Sequence, residues 1–359
     1  MSFELRKLED VCDILDHMRI PITSRDRKEG PYPYYGANGI QDYIDDFIFD
    51  DELVLLAEDG GNFGSKEKPI AYRISGKTWV NNHAHVLKPK NIIDVDYLCY
   101  SLMYYDVSGL VNGATRQKLT QSEMRKINIR YRSLEKQRQM VFKIKLISNI
   151  ISSREHQLSN LNLLVKSRFV EMFGDPVTNP LHWPICLLGE QIKFITSGSR
   201  GWAKYFTNEG AYFITIKNVK NSNIKVDDMQ YIIPPNNAEA IRTKVQEGDL
   251  LISITADLGR TGVVSKEIAE HGGYINQHLT CIRLNQENVN PLYVSYYMES
   301  EAGKRQFNLK NQSAVKAGLN FDSIRSLNLM LPPIELQHDY ISFVKQVDKS
   351  KFVVTAKFQ

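Results

Sequence analysis

Residues 78–83 read TWVNNH and residues 273–278 read GYINQH, an echo at a distance of about 195 positions. Three more echoes keep the same order. ELVLLAEDGG at 52–61 corresponds to DLLISITADLG at 249–259, NGATRQKL at 112–119 to NQSAVKAGL at 311–319, and LEKQ at 134–137 to IELQ at 334–337. Four blocks in register with similar gaps describe a duplicated chain. The period is far longer than the roughly 20–50 residues of a solenoid repeat. The total of 359 residues, about twice one compact domain, agrees with two copies of one plan.

Each copy opens with short alternating strands and turns. The runs at 52–57, 212–216 and 249–254 are apolar and bounded by Gly, Asn or Asp. A helical segment follows. From Leu134 to Phe173 there is neither Gly nor Pro, and Gly174-Asp-Pro ends the run. Within it Ile144, Ile151, Leu158, Val165 and Met172 recur every seven residues, the spacing of a coiled-coil seam, with Ile147 and Leu161 on a second row that Arg154 and Arg168 interrupt. The second copy starts its helix after Pro332-Pro333, with Tyr340, Val344, Val347 and Val354 on one side. Each stripe needs a cover, and the economical one is the other helix, which predicts an antiparallel pair. The expected organisation is α+β: a first domain at 1–133, a spacer helix at 134–176, a second domain at 177–333 and a C-terminal spacer helix at 334–359.

The motifs of several catalytic classes are missing. Gly60-Gly-Asn-Phe-Gly-Ser-Lys66 is a near miss to a phosphate loop, with the wrong spacing and no hydroxyl after the lysine. There is no Gly-x-Gly-x-x-Gly, no His-Glu-x-x-His and no Gly-x-Ser-x-Gly. Pro234-Pro235 and Pro332-Pro333 lack the flanking residues of an amino-methyltransferase motif. Cys12, Cys99, Cys186 and Cys281 lie far apart, which argues against a zinc ribbon or a disulfide framework, so no metal site is expected. The start carries no signal-like pattern and no apolar run is of membrane-spanning length, so the expected location is the cytoplasm. The recurring His83 and His278 each lie two residues after an Asn, and His83 has no acidic residue within ten positions, which favours a structural or DNA-proximal role. A rival reading makes the two Asn-x-His segments (Asn81 and His83, Asn276 and His278) duplicated enzyme sites.

The formal charge of +4 is too small to announce a nucleic-acid partner. Its distribution says more. Residues 1–133 carry 18 basic and 20 acidic side chains, yet 109–132 holds six basic residues and one acid, and the repeat-equivalent 300–320 holds four and one. Lys and Arg clustered beside Asn, Gln, Ser and Thr suit phosphate contacts and base-edge hydrogen bonds. Two loops add aromatics. YPYYGANG at 32–39 and SGSRGWAKY at 197–205 set Tyr and Trp beside glycine-loosened turns, where rings can stack on bases. By residue type, loop position and repeat, the candidate DNA-binding residues are Tyr34, Tyr35, Asn38, Lys66, Arg116, Gln117 and Lys118 in the first copy. In the second they are Ser199, Arg200, Trp202, Lys204, Lys217, Arg260 and Lys316.

The segments YPYYGANGI (32–40), TWVNNHAHVL (78–87), FVEMFGDPVTNP (169–180), ITSGSRGWAKYF (195–206), GDLLISITADLGRTG (248–262) and LNLMLPPIELQ (327–337) resemble the specificity (S) subunits of type I DNA restriction-modification enzymes. The resemblance spans essentially the whole chain. LPPIELQ is its strongest marker, and IRYRSLEKQ at the first helix is a degraded form without the prolines. It implies two target-recognition domains that each read half of a split DNA sequence, with the helices as a ruler between them. It also implies a non-catalytic subunit that binds two methyltransferase subunits and, through the complex, restriction-translocase subunits. S-adenosylmethionine, ATP and Mg would then belong to other subunits, with no cofactor on this one. A modification-only system with a related DNA-reading subunit is the nearer alternative. One departure from the family is that the second helix, about 26 residues from Ile334, is shorter than the first, about 40.

Overall fold

The computed structural model describes residues 3–113, 117–198, 200–312 and 318–356. The chain divides into two compact units, Met1–Ser153 and Arg154–Gln359, so the division falls inside the central helix and not ahead of it.

In the first unit the strand Leu53–Ala57 is buried at all five positions because it lies between Ala71–Ile74 and Ala84–Pro89, antiparallel to both, with Cys12–Ile14 at the far edge. The second unit repeats this sheet with Leu250–Ser253 between Thr261–Val263 and Leu279–Leu284, and Ile192–Ser197 at the edge. Apolar residues on both faces explain why these strands read as unbroken hydrophobic runs. A second sheet in each unit is built on a parallel pair. Glu29–Gly36 runs beside Lys77–Val80 in the first unit, and Ala211–Ile214 beside Gly273–Ile275 in the second. The flanks of these second sheets differ. The first unit adds the hairpin strand Gly39–Ile44 to Glu29–Gly36, whereas the second threads Gln230–Ile232 between Phe206–Thr207 and Ala211–Ile214.

The domain-to-helix junctions repeat atom for atom. Gln137 is fully buried; its Nε2 donates to the carbonyls of Arg132 (2.7 Å) and Ile92 (3.1 Å), and its Oε1 accepts from Asp94 N (2.8 Å). Gln337, equally buried, donates to Pro332 (2.8 Å) and Asn288 (3.3 Å) and accepts from Asn290 N (2.9 Å). Asp94 and Asn290 in turn cap the short helices Val95–Leu102 and Pro291–Glu299. From those helices Tyr97 reaches Arg130 O and Tyr293 reaches Met330 O. The LEKQ and IELQ echo is therefore a shared joint that ties each helix start to its own domain.

The central helix runs Leu134–Phe173 and the C-terminal helix Ile334–Ala356. Gly174, at φ 78°, ends the first, with its N–H on Val170 O. Within the second unit the two helices meet through aromatics. Phe169 and Phe173 pack edge-on to Tyr340 with ring centroids at 5.4 and 5.5 Å, and the Tyr340 hydroxyl donates to Val165 O. Burial does not follow the seven-residue row along its whole length. Val165 is buried, while Ile151 on the same row and Ile147 on the second row are exposed. The two helices also differ in length: 23 residues of C-terminal helix span about 35 Å against about 60 Å for the 40 of the central one. No helix among the described residues is long and apolar enough to cross a membrane.

Candidate nucleic-acid interface

In both units the second-sheet parallel pair ends in the same turn. Asn81 N donates to Tyr35 O, and the Asn81 side chain then accepts from His83 N at 2.8 Å. Asn276 N donates to Ile214 O, and its side chain accepts from His278 N at 3.1 Å. The Asn of each Asn-x-His segment is thus a turn former whose side chain satisfies the backbone two residues on. The histidines differ. His83 Nδ1 lies 2.6 Å from Asp59 Oδ1, an acidic neighbour that is close in space though 24 residues away, whereas His278 Nδ1 lies 2.8 Å from Thr255 Oγ1. Ladder register makes Thr255, not Asp257, the counterpart of Asp59, since Ala57 pairs with Ala84 as Ser253 pairs with Leu279. The two copies therefore do not share an acid–histidine pair, as duplicated catalytic sites would.

Around the first turn four segments converge. Asn38 Nδ2 donates to Gly60 O at 2.9 Å, Asp59 bridges to Lys118, and Leu119 N donates to Glu58 O at 2.7 Å. Asn38, Gln117 and Lys118 are exposed on this surface, and Lys66 is exposed further along the loop that starts at Asp59. In the second unit Gly198 packs so closely on the Asn276 carbonyl that a Cβ would stand 2.1 Å from it, which sets the chain two residues before the exposed Arg200 against the His278 turn. Lys217, also exposed, follows three residues after Ile214, and Arg260 forms an ion pair with Asp257 on the neighbouring loop. Lys204 is exposed with its ammonium 5.0 Å from the Tyr205 ring centroid.

Two candidates are corrected. Tyr34 is 1% exposed, its hydroxyl bonded to the backbone of Ile22 and its ring covered by the Arg27 guanidinium at 4.2 Å. Trp202 is 4% exposed, stacked on Phe213 and bonded through Nε1 to Glu239. Both are core anchors of the second sheets, because a large ring beside a glycine turn gains more from burial than from solvent. Tyr35 is half-buried against Tyr72, and that burial raises its phenol above the usual range. Arg116, Ser199 and Lys316 lie outside the described residues. The six-cation stretch 109–132 is also not a bare phosphate surface. Lys118 pairs with Glu58, Arg125 with Glu9 and Lys126 with Glu123, while Arg130 and Arg132 sit over the Phe3 ring.

Sequence reasoning missed a buried polar cluster beneath Lys118. His85, fully buried, places Nδ1 2.6 Å from Asp16 and Nε2 2.8 Å from Leu119 O. Arg19 Nη1 pairs with Glu58 at 2.6 Å, Lys118 Nζ with Glu58 at 3.0 Å, and Gln121 with Asp16 at 3.0 Å. Burial opposes the ionisation of Asp16 and Glu58, yet hydrogen bonds and charge from His85, Arg19 and Lys118 outweigh it and hold both carboxyls below their usual range. Asp16, Glu58 and His85 lie close enough to hold a metal, but Arg19 and Lys118 already supply two cations to the two carboxylates, so the donor set fits an internal salt-bridge network. No local spacing signals the Asp16, Glu58 and His85 triad, whose members are 27 to 69 residues apart. Burial raises the cysteine thiols, Cys12 up to about 12 and Cys99 up to about 11, which disfavours their thiolates.

The comparisons agree with this geometry. The family model "Type I restriction modification DNA specificity domain" matches residues 2–163 and 202–357. A putative type I restriction enzyme specificity subunit of Haemophilus influenzae is 24% identical over 354 residues, covering 96% of this chain and 87% of that protein. The putative MjaX specificity subunit of Methanocaldococcus jannaschii is 23% identical, covering 97% and 87%. The crystal structure of a type I restriction-modification S subunit from M. genitalium superposes with a TM-score of 0.63 at 12% identity, covering 99% of this chain and 92% of that one, which is a likeness of fold. With the family model spanning both units, the chain belongs to the type I restriction-modification DNA specificity family, in which it is a specificity subunit with two target-recognition domains.

Proposed function

We propose that each unit reads one half of a bipartite double-stranded DNA target, and that the chain is a non-catalytic reader that directs partner subunits to that target. The observation that carries this reading is the recurrence, at matching strand ends, of an Asn-capped turn flanked by exposed basic or amide residues. Lys118 and Asn38 stand there in the first unit, Arg200 and Lys217 in the second. Loops on a rigid sheet are where recognition residues sit best, and cations among amides suit phosphate positioning together with base-edge readout. The partners in this reading are two methyltransferase subunits, joined in the cytoplasm by restriction-translocase subunits. S-adenosylmethionine, ATP and Mg act on those partners. The relatives named above as type I specificity subunits support the assembly.

The helices supply the spacing. A central helix of about 60 Å, paired antiparallel with the C-terminal one, converts helix length into the gap between half-sites. Half-sites about one turn apart, roughly 34–36 Å, share a face of the duplex. The test is co-expression with a methyltransferase subunit of the same system, followed by mapping of methylated adenines. A split motif that disappears when this chain is omitted is the expected result. Methylation that does not depend on the chain overturns the reading.

A further inference from the structure

The two units carry different chemistry under the same strand. Leu119 N donates to Glu58 O and Leu319 N to Ile254 O, so Glu58 and Ile254 are structural counterparts. By ladder register His85 corresponds to Thr280, and a count of two residues beyond the matched Ile14 and Ile195 sets Asp16 against Ser197. The first unit therefore has two carboxylates and an imidazole where the second has an isoleucine and two hydroxyls, and the Thr280 hydroxyl is buried with no partner among the described residues. Burying that much polarity is unfavourable unless each group is satisfied. Here the satisfied groups converge on one short strand. Glu58 holds the Lys118 ammonium and accepts the Leu119 N–H through its own carbonyl, while His85 Nε2, facing a carbonyl that can only accept, donates to Leu119 O. Both backbone groups of Leu119 and the side chain of Lys118 are thereby fixed next to the Asn81–His83 turn.

We propose that His85 and Glu58 are positioning residues for Gln117 and Lys118, so that recognition of one half-site depends on this cluster and recognition of the other does not. The inference rests on the DNA-reading function proposed above. It is not a proposal that the cluster touches DNA, since His85 is fully buried. Its specific content is that His85 acts through the Nε2–Leu119 bond, and not through the mere presence of a polar side chain, while Glu58 acts through its ion pair with Lys118.

Two substitutions separate these possibilities. The amide nitrogen of a glutamine overlays imidazole Nε2, and that of an asparagine overlays Nδ1. His85→Gln keeps the donor to Leu119 O and gives up Asp16, whereas His85→Asn does the reverse; each removes one hydrogen bond from the same buried site. The chain, assembled with its methyltransferase subunits, is titrated with its mapped target duplex and with duplexes substituted in one half-site or the other. The wild type should discriminate against both. His85→Asn should lose roughly tenfold or more of its discrimination at one half-site, the size of one base-pair mismatch, and keep it at the other. His85→Gln should keep discrimination at both. Glu58→Gln, which preserves shape and both backbone bonds, serves as a second probe if the Asn variant fails to fold, and should lose discrimination at one half-site only. Equal behaviour of the two histidine variants, loss at both half-sites, or no loss with either His85→Asn or Glu58→Gln overturns the inference. A wild-type complex that discriminates at neither half-site instead overturns the DNA-reading function, and this inference with it, before any variant is compared.

Discussion

Gln337→Leu tests the helix joint directly. The replacement is close in volume and apolar, so packing changes little and the lost hydrogen bonds dominate. Removing the side-chain amide leaves Asn290 N–H without its acceptor at 2.9 Å, and takes the donor from Pro332 O at 2.8 Å and Asn288 O at 3.3 Å. The site is fully buried, so water does not replace them. An orphaned buried group costs about 1–3 kcal/mol, and carbonyls tolerate the loss of one partner better than an N–H does, so the sum is about 2–4 kcal/mol. At 1.4 kcal/mol per tenfold this is a fall of roughly 30- to 700-fold in hydrogen-exchange protection for amides of Pro291–Glu299, whose first turn depends on the Asn290 cap. Exchange of the first unit's amides should stay unchanged.

Gln337→Glu sharpens the test. One carboxylate oxygen still accepts from Asn290 N, but the other faces two carbonyls and has no proton to donate while ionised. The glutamate variant should therefore be destabilised at neutral pH and recover as pH falls and the carboxyl becomes a donor. Protection within about 0.5 kcal/mol of wild type for both variants would refute the account of the joint, since that is the range of an ordinary surface substitution.

Other outcomes follow from the same structure. Asp16 and Glu58 are held below their unfolded-state values, so the stability they confer is present above about pH 4 and drains away as pH falls through the lowered folded values; melting of the Asp16→Asn, Glu58→Gln double variant across that range should show a flatter acid limb, and an unchanged slope counts against the network. Trp202→Ala should destabilise the second unit by about 3–5 kcal/mol as a buried aromatic, whereas Arg200→Ala, at an exposed loop position, should leave melting intact and weaken target binding by about 1–3 kcal/mol; the reverse pattern would return Trp202 to the reading surface. Gly198→Ala forces a Cβ against the Asn276 carbonyl, and should shift melting by about 1–3 kcal/mol and weaken binding at one half-site, with unchanged melting counting against the close approach.

The duplication and both helices were legible because they depend on patterns local to a dozen residues or on repetition. An unbroken apolar run such as Leu53–Ala57 is buried on both faces, and a stretch free of Gly and Pro ends where Gly174 takes a left-handed φ. The echo at Gln137 and Gln337 was visible too, though its meaning lay in carbonyls supplied by Ile92 and Asn288, far along the chain. Loop aromatics misled. Tyr34 and Trp202 look alike in sequence whether a ring faces solvent or a sheet, and only the neighbouring strands decide it. The network under Lys118 was illegible for the same reason: Arg19, Glu58 and His85 become neighbours only through the pairing of Leu53–Ala57 with Ala84–Pro89.

The asymmetry between the units bears on how such a chain changes what it reads. A densely packed interior resists change, whereas strand ends and loops accept it, which fits the shared joint, shared turn and differing sheet flanks. The loops are nevertheless not independent of what lies beneath them. Lys118 is held by Glu58, and Glu58 is tolerable in the interior because Arg19 and Lys118 pair with it while His85 and Gln121 satisfy Asp16 beside it. Moved alone to the partly buried counterpart position, as Ile254→Glu, the same carboxylate would meet Thr280 and Ser197 in place of His85 and Asp16, where the Arg242 guanidinium is already taken up by Ser197 O and Thr196 Oγ1. An uncompensated buried charge of that kind costs about 3–5 kcal/mol. Recognition segments in the two halves should accordingly exchange only together with their supporting residues: a transplant of 112–121 into the second unit should fold and read DNA when Asp16, Arg19, Glu58 and His85 travel with it, and should destabilise the unit when Glu58 travels alone.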